Sequence, residues 1–214
     1  MSSFRAGQFN PCKGQPTRFA PFNDAHGNCV ATLYAATSRE AAAFESIFHD
    51  IEPAAAFKTV RLAVVEARTV SVIAPKRDLR LASLFAPDLK AWKLNRTDLI
   101  ETPKTTYGET VLWAEAIHRT RADVDGLIWT SRQCDPEQCI ILFEDRLAED
   151  RLDVVQSIDA GADADHDHIL APMTLADFGT VTKAILEKPM RAQRRRRIIF
   201  SNYSIIIFTP STNE

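Results

Sequence analysis

Cys29-Val30-Ala31-Thr32-Leu33-Tyr34-Ala35-Ala36 runs through Thr37-Ser38 into Arg39-Glu40-Ala41-Ala42-Ala43-Phe44-Glu45. The first run is apolar and reads as a strand. Thr37 or Ser38 suits the N-cap position, where a side-chain oxygen accepts from a free backbone N–H. The Ala-rich segment from Arg39 to Asp50 then reads as a helix that stops before Pro53. Working outward, Asp125-Gly126 turns into a strand over Leu127 to Thr130. Cys139-Ile140-Ile141-Leu142-Phe143 is a continuous apolar run, the mark of a strand buried on both faces. Gly108 to Thr120 reads as a helix. Val60 to Ala74 holds two β-prone clusters, Leu62 to Val65 and Val70 to Ile73. Leu79 to Ala86 and Ala91 to Asp98 read as short helical or turn segments. Helices and strands alternate without repeats, which predicts an α/β (α+β) fold: one compact domain around a central mixed sheet.

The composition fits a single domain. A chain of 214 residues with 45% hydrophobic content can bury a sizeable core. A net charge of -2 and a pI near 6.2 give no general reason to expect nucleic acid or a membrane surface as partner. Cys12, Cys29, Cys134 and Cys139 form no Cys-x-x-Cys pair and no zinc spacing, so they read as reduced thiols. With neither a signal peptide nor a transmembrane run in view, a cytoplasmic location is expected. Leu175 to Leu186 reads as a helix. The chain then changes character: a basic run from Arg191 to Arg197 precedes Ile198-Ile199-Phe200 and Ile205-Ile206-Ile207-Phe208. This suggests a domain over residues 1–188 and an atypical tail over 189–214, read as a solvated helix end plus an edge strand. A nucleic-acid arm is the weaker reading of so short a run.

Several polar residues stand where the pattern asks for apolar ones. Glu45 shares a helical stripe with Ala41 and Phe48. A carboxylate among apolar neighbours must be paired, neutral or used. An ion pair with an arginine is the commoner reading. Arg18 sits in a Pro-flanked loop beside Phe19, and its fork suits phosphate oxygens. The plainer alternative is an arginine whose stem covers apolar surface. Arg5, in a similar Phe-Arg setting, carries the same pair of readings. Tyr34 ends a strand just before the helix of Glu45, placed to stack on a heterocycle or donate a hydrogen bond. Ser131 follows Trp129-Thr130 at a strand end, where loops of α/β sheets build sites. It can orient Glu45 or bind a ribose hydroxyl; a turn serine is the simpler reading. Asp163 to His168 has metal-ligand residue types but no site-like spacing, and His49 reads as a partner of the helix dipole. No metal site is expected.

Taken in order, Phe4-Arg5, Gln8-Phe9-Asn10-Pro11, Arg18-Phe19-Ala20-Pro21, Leu33-Tyr34-Ala35-Ala36, Ala41 to Glu45, Asp125 to Arg132 and Ile141 to Arg146 resemble the RES-domain family. That family takes its name from Arg, Glu and Ser. The resemblance runs from about Phe4 to Phe143 and weakly on to Leu186. It implies a fold similar to ADP-ribosyltransferase toxins and NAD+ as substrate, with inorganic phosphate a candidate co-substrate and no bound cofactor. It also implies a toxin neutralised by a helix-turn-helix antitoxin protein; a homodimer is an open option. Carried over by position, Glu45, Arg18 and Ser131 become the catalytic candidates. Arg5, Arg18, Tyr34 and Ser131 become the NAD+-binding ones. Many members carry Gly where this chain has Thr17. The expected reaction is NAD+ cleavage by phosphorolysis or hydrolysis. A protein-modifying ADP-ribosyltransferase or a degenerate binding module are the alternatives.

Overall fold

A computed structural model describes residues 5–49, 61–159, 197–200 and 205–210. Strand β1 (Thr32–Ala36) leads into α1 (Arg39–Ser46). Ser38 caps that helix, its side chain accepting from the Ala41 N–H at 3.2 Å. Ala41, Ala42 and Ala43 are its buried face, and small side chains let the helix lie close against the sheet. A short helix α2 (Leu62–Glu66) precedes β2 (Arg68–Pro75) and β3 (Leu79–Ser83). Next come α3 (Ala86–Ala91), α4 (Arg96–Leu99), and α5 (Tyr107–Thr120) behind a 3-10 turn over Lys104–Thr106. Strands β4 (Gly126–Thr130), β5 (Gln138–Phe143) and β6 (Leu152–Asp159) follow, then β7 (Arg197–Phe200) and β8 (Ile205–Pro210).

The strands form one sheet in the order β6-β2-β8-β1-β5-β4-β3-β7. Only β3 and β4 run parallel among these pairs, joined by the α3–α5 crossover, so the sheet is mixed and the fold is α/β. One apolar layer packs Phe19, Trp129, Ile141 and Phe143 with Leu84, Leu89 and Ala114, under α3 to α5. The other packs Leu33, Leu81, Ile128, Ile140 and Leu142. Ile141 faces the first layer and Ile140 and Leu142 the second, all with no exposure, which is why β5 reads as an unbroken apolar run. Gly126 pairs with Leu142, and a Cβ there would overlap the Ile141 carbonyl, so no larger residue fits.

Four expectations change. Leu62 to Glu66 is helical: its one turn buries Val65 against Phe48 and Val70, and that contact overrides a β preference. Leu79–Ser83 is a strand, whose nearly continuous burial hides the two-residue period. Helix α1 ends at Ser46, short of Asp50. Cys12 and Cys29 are joined in a disulfide, Cα to Cα 6.4 Å, rather than being free thiols. The Asn10–Thr32 bridge and the Val30 N–H to Phe22 carbonyl bond fold the 5–29 segment back on itself and bring them together. Cys134 and Cys139 are free. The disulfide removes one ground for a cytoplasmic location. Among the described residues no helix is long and apolar enough to cross a membrane. The tail contributes β7 at a sheet edge and β8 between β2 and β1. Leu175 to Leu186, Arg191 to Arg196 and Asp163 to His168 lie outside the described residues.

Candidate functional site

A cavity of about 400 Å³ opens beside the C-terminal end of β1, with Arg18, Tyr34, Glu45, His49, Tyr107 and Trp129 in its wall. It is large enough for a nucleotide-sized ligand. Three separate parts of the chain meet there. The 12–29 disulfide loop brings Arg18, the β1–α1 unit brings Tyr34 and Glu45, and α5 brings Tyr107 at its first position.

Glu45 is held from one side only. Its Oε1 accepts from the Ser131 hydroxyl at 2.8 Å and from the Arg132 backbone N–H at 3.2 Å. Ser131 is fully buried, and its Oγ in turn accepts from the backbone N–H groups of Gln133 at 3.3 Å and Cys134 at 3.1 Å. That turn fixes the hydroxyl so that its single proton goes to Glu45. Among the described residues no cation pairs with Glu45, and the Ser131 and Arg132 bonds both fall on Oε1. The Ser131 hydroxyl thus meets Glu45 directly.

Arg18 is 4% exposed, and its Nε is buried with no hydrogen-bond partner. Its guanidinium carbon lies 5.5 Å from the centre of the Tyr107 ring, within reach of the ring's negative face. Among the described residues no carboxylate pairs with it. Thr110 on α5 fixes the loop by donating to the Arg18 carbonyl at 2.6 Å. A buried guanidinium without an acceptor calls for an anion from outside the chain.

Tyr34 spends its hydroxyl on that same loop. The Phe19 N–H donates to it at 3.0 Å, and it lies 2.9 Å from the Thr17 hydroxyl. Thr17 gives its own proton to the Ala20 carbonyl, so Tyr34 is the donor between the two. Burial pushes the Tyr34 phenol up to about 12, keeping it neutral. Tyr34 thus ties down both neighbours of Arg18, through the Thr17 hydroxyl and the Phe19 N–H, and what remains for a ligand is its ring. Thr17, the departure from the usual glycine, is part of this tie.

Arg5 does not join this group: it is exposed, with its N–H on Gln8 Oε1 at 3.0 Å, and it is not in the cavity wall. Three wall residues escaped the sequence reading. Tyr107 bonds His49 Nε2 through its hydroxyl at 3.2 Å, so His49 lies past the end of α1 as a side-chain partner rather than a dipole cap. Lys104 stands at the rim. Trp129 forms part of the floor. Only Trp129 sat inside a recognised motif; the others meet the site through tertiary folding alone. Cys139, also in the wall, is an inert thiol: burial first, and then the Glu45 charge, push it well above its ordinary range. A smaller cavity of about 170 Å³ adjoins, sharing Gln15, Thr17, Tyr34 and Ile207 with the first. Among the described residues no group of three or more His, Cys, Asp or Glu could hold a metal ion.

No curated protein and no solved structure matches the chain significantly, so the likeness to ADP-ribosyltransferase toxins rests on family resemblance alone. The RES domain matches residues 2–166, a span that contains Arg18, Tyr34, Glu45 and Ser131. With most of its length inside that match, the chain belongs to the RES domain family, which is associated with NAD-processing enzymes.

Proposed function

We propose that this protein cleaves NAD+ at the nicotinamide–ribose bond, with phosphate or water as acceptor. One observation carries the reading: a carboxylate held through a single oxygen shares a cavity with a buried arginine that has no acceptor of its own. NAD+ brings the matching parts. Its pyrophosphate is an anion for Arg18. Its N-glycosidic bond builds positive charge on the ribose as it breaks.

In the proposed step the bonding pair of the ribose C–N bond passes to the pyridinium nitrogen, and neutral nicotinamide leaves. The other oxygen of Glu45, Oε2, stabilises the oxocarbenium-like ribose electrostatically. Ser131 and the Arg132 N–H hold the carboxylate in place, so it need not reorganise during the reaction. An oxygen of phosphate then attacks the anomeric carbon and gives ADP-ribose carrying the phosphate. Water in its place gives ADP-ribose and a proton. In a cell such a reaction would deplete NAD+, in keeping with a toxin restrained by a helix-turn-helix antitoxin protein.

The test is incubation of the purified protein with NAD+, with and without inorganic phosphate, following free nicotinamide by chromatography. Release that requires phosphate establishes phosphorolysis, and release without it hydrolysis. No release from folded protein under either condition overturns the reading.

A further inference from the structure

Trp129 has a donor left over. Its indole is buried, 2% exposed, and its Nε1–H has no acceptor in the protein. Buried N–H groups are seldom left unmatched, so an orphan in a cavity wall points to a ligand. Trp129 lies on β4 one residue before its end, Ser131 follows just past that end, and Trp129 lines the same cavity as Glu45. Ser131 reaches Glu45 from the turn that follows the strand. The surroundings are flat and uncharged: Phe19 meets the indole edge-on at 5.0 Å and Tyr34 at 6.2 Å between ring centres. Ala35 and Ala36 complete that part of the wall.

A neutral donor in an aromatic wall suits a neutral acceptor on a flat ring; the ligand's anion has Arg18. We propose that Trp129 Nε1–H donates to the exocyclic carbonyl oxygen of the leaving heterocycle. For NAD+ that atom is the carboxamide oxygen of nicotinamide. Trp129 is then the residue that selects a pyridine bearing a carbonyl and fixes its rotation beside Glu45. This role rests on the NAD+-cleaving reading and specifies it.

The test compares two small probes that share a ring: nicotinamide, and 3-methylpyridine, which lacks the carbonyl. In isothermal titration the intact protein binds nicotinamide about tenfold more tightly, the worth of one good hydrogen bond. Trp129→Phe keeps an aromatic ring, removes the N–H and erases that preference. A second measurement needs no substitution at this position. The chain has 3 tryptophans, and Trp92 and Trp113 are exposed, so their substitutions assign the Trp129 indole resonance by elimination. In the 15N-labelled protein that resonance moves with nicotinamide and stays with 3-methylpyridine. An intact protein without preference, or a folded Trp129→Phe that keeps it, overturns the inference. If that result comes from a protein that still cleaves NAD+ in a Glu45-dependent way, the Trp129 role alone falls. A protein that neither binds nicotinamide nor cleaves NAD+ sinks both.

Discussion

The two ends of β4 carry the same pair of charges and treat them oppositely. Before its first residue, Asp125 is buried and takes both guanidinium nitrogens of Arg77 at 2.7 Å, plus the Arg80 N–H at 2.8 Å. Both oxygens of that carboxylate are engaged, and Arg77 spends a further N–H on the Arg146 carbonyl. Past the last residue of β4, Glu45 is held by a hydroxyl and an N–H on one oxygen, while Arg18 stands in the same cavity without an acceptor. Among the described residues no ion pair joins Glu45 to Arg18. The first pair satisfies itself and holds strands together. The second is kept apart, the arrangement that the proposed NAD+ would complete. Asp125 and Ser131 lie in one short motif, yet one belongs to the scaffold and the other to the site.

The contrast is sharpest if one member of each pair is exchanged for a neutral residue. Arg18→Gln should raise the KM for NAD+ on the order of 100-fold, the loss expected when a buried cation no longer meets its anion. Its thermal midpoint should hold or rise, because an unmatched buried charge is gone. A KM unchanged in the folded variant would break the comparison at its functional end. Asp125→Asn should do the reverse, lowering stability by about 2 kcal/mol in urea unfolding and leaving the rate alone. The figure sits below that for fully buried pairs because Arg77 is 41% exposed. Ser131→Ala should lower kcat about tenfold by freeing the Glu45 carboxylate, with little change in KM. A KM effect of that size instead would make Ser131 a ligand contact.

The smallest effect concerns Tyr34. Its unfolded phenol ionises near 10 and its folded one near 12, so folding keeps a proton that the unfolded chain has lost in that window. This contribution is complete below about pH 10 and declines as pH rises toward 12. Urea unfolding at pH 9 and pH 11 should show a steeper fall for the native protein than for Tyr34→Phe. Equal slopes would mean that the Tyr34 phenol is not buried as described.

The legible parts of this chain were those decided locally. The β1 run, the Ser38 cap, helix α5 and the β5 run each carry their own pattern, and they place Glu45 and Ser131 at neighbouring ends of elements. The illegible parts are long-range. Tyr107 meets His49 across 58 residues, and Asp125 meets Arg77 across 48. No spacing rule announces such pairs. The Cys12–Cys29 disulfide was missed for the same reason, since it follows from how a loop folds rather than from a motif. Leu62 to Val65 and Leu79 to Ser83 exchanged roles because short apolar runs fit a helical turn or a strand equally well, and burial decides.

The most direct test is Glu45→Gln, which keeps the side-chain shape and removes its charge. Nicotinamide release from NAD+ and the thermal midpoint should be measured on the same preparation. The account predicts a rate lowered by at least about 100-fold with a midpoint close to that of the native protein. A folded Glu45→Gln that releases nicotinamide at the native rate would contradict it.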